Sequence, residues 1–150
     1  MTGIQEKSET HSKIEEDVFD YFSKLCECAL NEPVQDIFAP YAHINTEFTR
    51  VKITSIDYSR FEKKTKSKIY DVYVTLYLMN KSCMKRADVL YQFVRSKEWE
   101  EMNENRRLKL DSVSRIRNAS RDLLRGEVEE RASFSLAFIY SDPADKGRIC

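Results

Sequence analysis

From residue 12 onward the apolar positions first recur with a helical period and later switch to strict alternation. In SKIEEDVFDYFSKLCECALN, Ile14, Val18, Phe22, Leu25 and Ala29 follow one another at four, four, three and four residues, one stripe of an amphipathic helix. Phe19, Cys26 and Leu30 widen that stripe, and Tyr21 and Cys28 lie nearer its other edge. Ser12 and Glu15 have the spacing of a capping box, so the helix is predicted to start at Ser12 and to end before Pro33. Residues 1–11 are polar and without period, and read as a disordered lead-in.

PVQDIF reads as a short helical turn, opened by Pro33 and broken again by Pro40, with a loop up to Phe48. The period then becomes two. TRVKITSIDYSRF, KIYDVYVTLYLMN, ADVLYQFVRS and RASFSLAFIYS are rich in β-branched and aromatic residues and are predicted to be strands. The connections EKKTKS and KSCMKR are short enough to demand antiparallel neighbours. LKLDSVSRIRN suits a further strand, and RNASRDLLRGE a short helix or turn closed by Gly126. The expected fold is α+β, a curved antiparallel sheet of four to six strands packed on a long N-terminal helix. It would form a single domain over residues 12–142 with a flexible tail at 143–150.

Within SKIYDVYVTLYLMN, Tyr70, Val72, Val74, Leu76 and Leu78 make one continuous apolar face, as a strand over a core requires. The opposite face, with Ile69, Asp71, Tyr73, Thr75, Tyr77 and Met79, lacks the charges of a solvated sheet. Tyr91 and Phe93 of the next predicted strand, and Phe134, Leu136, Phe138 and Tyr140 of the last, would add more apolar surface than one helix covers. Aromatic residues with methionine, poor in lysine, are the composition of a contact surface. Tyr73, Thr75, Tyr77, Met79, Tyr91 and Phe93 are therefore the candidate partner-binding residues, and a noncatalytic module that dimerises or docks a protein partner is the first functional reading.

Charge sharpens the picture. Acids and bases balance at 25 each, which argues against wholesale affinity for nucleic acid or membrane, yet they are unevenly placed. Residues 1–48 hold ten acids and three bases, whereas residues 50–68 and 106–125 each hold seven bases and two acids. Arg115, Arg117, Arg121 and Arg125 could contact phosphates while tyrosines stack on unpaired bases, an RNA-associated reading that ranks behind a solvated basic turn. Arg117 also stands three residues before Ser120, a basophilic kinase context. The four cysteines have no disulfide spacing and no apolar run is long enough to span a bilayer, so an intracellular protein, cytoplasmic or nuclear, is expected.

Catalytic chemistry has little support. Cys26 and Cys28 are two apart on a helix and point in nearly opposite directions, which prevents joint metal binding. Two histidines and three glycines leave no zinc pattern, no catalytic triad and no phosphate-cradling loop, and no cofactor is expected. Asp71 is expected to pair with a cross-strand lysine.

The stretch DVFDYFSKLCECALNEPVQDIFAPYAHINTEF resembles the opening of the nuclear transport factor two-like superfamily. The matching positions are Ala29, Leu30 and Asn31 at the helix end, Ile37, Phe38 and Tyr41 in the following segment, and Phe48 at the first long strand. The strand RASFSLAFIYS after a charged insert departs from the family's usual ending. The resemblance implies a cone whose open end holds a ligand cavity or a partner surface. Enzymes of that superfamily place an Asp or His base and a Tyr or Asp donor inside the cone, for which Tyr41, His43, Asp71 and Tyr73 are the candidates, with Asp57 further off. A small-molecule lyase or isomerase is the alternative reading on that ground.

Overall fold

The computed structural model describes residues 2–36 and 47–143, without the side chains of residues 2–8, Asp36 and Arg125. Helix α1 (Thr2–Leu30) begins well before the capping box, so Ser12 and Glu15 are interior helical residues and the expected lead-in is helical from Thr2. Its stripe is buried as spaced: Ile14, Val18, Phe22, Leu25 and Cys26 are almost without solvent contact, and Tyr21 joins them. Phe19, expected to widen the stripe, is 40% exposed. Asn31 ends the helix with φ 54°, the left-handed conformation that asparagine tolerates.

The predicted helical turn after Pro33 is instead strand β1 (Val34–Asp36), which runs parallel to the start of β2 (Phe48–Glu62) with Val34 opposite Thr49. Proline fixes its φ in a range that extended chain shares, and Val34 prefers a strand. The Thr49 amide donates to the Pro33 carbonyl at 3.2 Å. Ile37, Phe38, Pro40, Tyr41 and His43 fall among residues 37–46, outside the described residues. β2 and β3 (Ser67–Met79) form the predicted antiparallel hairpin, with Lys66 at φ 51° in its turn. Irregularities at Ile53/Ser55 and Tyr58/Arg60 bend the long β2 strand.

ADVLYQFVRS is not a strand. It lies in helix α2 (Cys83–Val94), followed by the short helix α3 (Lys97–Met102). The apolar run satisfied both periods, and the polar positions decide between them. Lys85, Asp88 and Gln92 are exposed at helical spacing, while Cys83, Ala87, Leu90 and Val94 are buried on the other side. KSCMKR is thus a helix lead-in rather than a hairpin turn, entered through Asn80 (φ 73°) and Ser82 (φ 61°).

The chain continues through β4 (Leu108–Val113), β5 (Arg117–Asn118), β6 (Arg121–Asp122), a single 3-10 turn (Leu124–Gly126), β7 (Val128–Glu129) and β8 (Arg131–Pro143). The predicted short helix or turn closed by Gly126 is therefore two dipeptide strands and that turn, with Gly126 at φ 76°. The sheet order is β1-β2-β3-β8-β4 with β5 also on β8, and β6 pairs with β7 in a separate two-stranded sheet. The sheet is mixed, because β1 is parallel, and it curls around α1 as a half-barrel.

Every second residue of β3 and β8 faces the core shared with α1 and α2. Val72, Val74, Leu76, Phe134, Leu136 and Phe138 are at most 1% exposed and pack with Phe22, whose ring meets Phe138 edge to face at 5.7 Å. At one end of the sheet Arg86 of α2 clasps four segments. Its guanidinium binds both Glu32 carboxylate oxygens at 2.5 and 2.6 Å and donates to the carbonyls of Met79 at 2.7 Å, Phe48 at 3.2 Å and Lys81 at 3.4 Å.

Candidate functional site

The face of the sheet turned away from α1 is set by register. Partners across an antiparallel pair share a face, so each side chain on this surface belongs to a row that crosses the strands. The first row is Arg50, Tyr77, Ser133 and Arg117, on β2, β3, β8 and β5. The second is Lys52, Thr75 and Ser135, where the Thr75 and Ser135 hydroxyls lie 3.0 Å apart and Ser114 is bonded to the Ser135 backbone through its amide and its hydroxyl. The third is Ser55, Tyr73, Ala137 and Ser112. The fourth is Asp57, Asp71, Ile139 and Lys109.

Across these four rows the face runs from basic to acidic, and a fifth row beyond them, Arg60, Ile69 and Ser141, brings one more cation. The first and fourth rows are six residues apart along β3, roughly 20 Å at the rise of a strand. Arg131 adds to the basic end: its guanidinium stands 5.3 Å from the centre of the Tyr77 ring, a cation–π distance, and its Nε donates to the Ala119 carbonyl at 2.6 Å. Glu129 lies beside it, 3.8 Å from the Arg131 guanidinium and 2.9 Å from that of Arg121. In the acidic row the Lys109 ammonium turns away to the backbone carbonyls of Asn103 and Glu104. Asp71 is thus opposite Asp57 and Ile139, not the lysine expected of it, and two like charges face each other across the strand pair.

Only part of the sequence-based site comes together. Tyr73 is 44% exposed, and Thr75 and Tyr77 are half-buried on the face as expected. Met79 shares their side of the strand but is 2% exposed. Tyr91 and Phe93 belong to α2 and pack inward, Tyr91 against Phe134 at 6.0 Å between ring centres and Phe93 against Trp99 at 5.6 Å. Phe134, Leu136, Phe138 and Tyr140, expected to enlarge the outer surface, are core residues. Their alternates Ser133, Ser135, Ala137 and Ile139 face outward instead. Arg115, Arg117 and Arg121 are exposed at the basic edge, and Arg125 lies in the 3-10 turn with its side chain outside the description. Tyr41 and His43 are outside the described residues. Arg50, Lys52 and Arg131 were missed. Alternation along RVKITS and RASFSLAF marks them as outward, but only the strand register shows that they flank Tyr77.

Asp71 does not reach the interior of the curl, which Phe22, Phe138 and their neighbours fill. Elsewhere the Tyr140 hydroxyl donates to Asp17 at 2.7 Å. Burial, reinforced by Asp17 and opposed by Arg107, pushes this phenol up to about 12. Burial likewise pushes Tyr21 up to about 12, against the hydrogen bond it accepts from the Trp99 indole at 2.8 Å. Both phenols stay neutral hydrogen-bonding groups at ordinary pH. A groove of about 740 Å³ beside α3 is floored by Tyr21, Trp99 and Leu108 and rimmed by Lys97, Glu100 and Glu104, charges of both signs. No helix among the described residues is long and apolar enough to cross a membrane. No protein-family model matches the chain, and no curated protein matches it either.

Proposed function

We propose that the chain is a noncatalytic interaction module whose outer sheet face docks a second copy of itself. The observation that carries this is the charge order along the middle of the face, with Arg50, Arg117 and Arg131 on one side and Asp57 and Asp71 six residues further along β3, before the row of Arg60. A two-fold axis lying across the strands reverses strand direction in the second copy. It sets the acidic row of each copy on the basic row of its partner, with Tyr73, Thr75 and Ser135 near the axis. An axis along the strands puts like charges together. The long first helix under a curled sheet supports kinship with the nuclear transport factor two-like superfamily, in which a partner surface is one of the two uses of the cone. The lyase or isomerase reading loses support because Asp71 lies on the outer face.

Tyr77 between Arg50 and Arg131 also suits a stacked base with flanking phosphates, but the acidic row disfavours a polyanion. The test uses two variants and light scattering. Asp57→Lys with Asp71→Lys makes the whole face basic, and Arg50→Glu with Arg131→Glu makes both ends acidic. Each is expected to be monomeric alone, and an equal mixture to form heterodimers through two restored contacts. Dimers from either variant alone, or no association of the wild type and of the mixture, would refute the reading. RNA binding lost only in the second variant would replace it with the nucleic-acid reading.

A further inference from the structure

We infer that Ser120 is a phosphorylation site whose modification controls the docking face; the controlling effect rests on the dimer proposed above. Ser120 is exposed in the short link between β5 and β6. Arg117, also exposed, precedes it by three residues and offers a guanidinium to the acidic subsite of a basophilic protein kinase. In the transfer the Ser120 Oγ attacks the γ-phosphorus of ATP and the bond from that phosphorus to the β,γ-bridging oxygen breaks. ADP leaves with the electron pair, and the hydroxyl proton passes to the kinase's carboxylate base.

The link is wired to the docking face through one residue. The Arg131 amide donates to the Ser120 hydroxyl at 3.1 Å, and the Arg131 side chain donates to the Ala119 carbonyl while its guanidinium covers the Tyr77 ring. Glu129 is the anion both Arg121 and Arg131 already face, at 2.9 and 3.8 Å. A phosphate on Ser120 carries a charge of about −2 and three strong acceptors, so it competes with Glu129 and the Ala119 carbonyl for these guanidinium groups. Arg131 is drawn from Tyr77 toward the link, and the basic end of the face loses the charge that meets Asp57 and Asp71 of the second copy.

The experiment treats the full chain with ATP and the catalytic subunit of a kinase that prefers arginine three residues before its acceptor. Intact and fragment masses locate the phosphate, and light scattering follows assembly. One phosphate on Ser120 is expected, absent in Ser120→Ala and formed roughly tenfold more slowly in Arg117→Ala, the scale of one lost charged hydrogen bond. The phosphorylated chain and Ser120→Glu are expected to dimerise at least about tenfold more weakly than Ser120→Ala. No phosphate on Ser120 overturns the site, and phosphate that leaves dimer affinity unchanged overturns the control. A wild type that is monomeric before treatment defeats the dimer and the control together, and the mass measurement then decides the site by itself.

Discussion

Replacing Glu32 by alanine tests whether the Arg86 clasp holds the basic end of the sheet. In the native chain the two side chains are only 10% and 12% exposed, so both charges are largely desolvated and each is compensated by the other. Removing the carboxylate deletes both of its hydrogen bonds and leaves the guanidinium with the carbonyls of Met79, Phe48 and Lys81. Breaking a buried pair from one side costs about 3–5 kcal/mol, and the carbonyls that remain place the expected loss near the lower end, about 3 kcal/mol. In a domain of this size that lowers the thermal midpoint by roughly 6–12 °C.

Urea unfolding should show the loss as a lower midpoint at unchanged slope. The paired variant Glu32→Leu with Arg86→Met removes both charges and should return to within about 1 kcal/mol of the wild type, because apolar contacts can replace a buried ion pair. The reasoning fails if Glu32→Ala costs less than about 1 kcal/mol, the value of an exposed surface pair. It also fails if the paired variant is no better than the single one.

Phe22 is fully buried against Tyr21 and Phe138, so Phe22→Ala should cost about 3–5 kcal/mol in the same assay, and a loss below about 1 kcal/mol would contradict its place in the core. Burial pushes the Cys26 thiol up to about 12 from an ordinary value near 9, and Tyr21 and Tyr140 up to about 12 from near 10. The folded state then holds protons that the unfolded state releases, so stability is full below about pH 9 and falls as pH rises to about 12. Denaturant midpoints measured across that range should decline, and Cys26→Ala should flatten the earliest part of the decline.

The elements most legible in the sequence were those with one dominant period. The α1 stripe could be read because it has a polar complement on the opposite side, and the inward set of β3 because Val72, Val74, Leu76 and Leu78 alternate without a polar break. The segment 87–96 could not be settled by its apolar residues, since Val89, Tyr91 and Phe93 alternate while Ala87, Leu90 and Val94 recur with helical spacing. Sequence gives a strand's two faces without saying which one the helix covers, and in β8 the aromatic set went inward and the serine set outward. That reversal is why the face is a hydroxyl and charge surface studded with two tyrosines, not an aromatic sheet. The Arg86 clasp was illegible for a different reason: its partners at Glu32, Phe48, Met79 and Lys81 meet only after four segments have converged.

A face of this kind carries strain in the free protomer. Asp57 opposite Asp71 is a like-charge cross-strand pair, and such pairs are destabilising. At the other end Arg50 and Arg117 sit in one row, with Arg131 over the tyrosine between them. In the proposed dimer a second copy turned end for end would set the acidic row of each protomer on the basic row of the other. In that proposal apolar area does not select the docking geometry, since Tyr73 and Tyr77 would give contact in either orientation whereas the charges favour one. In the proposed dimer these charges would set the sense of pairing and tie affinity to ionic strength, as contact through aromatic surface alone would not.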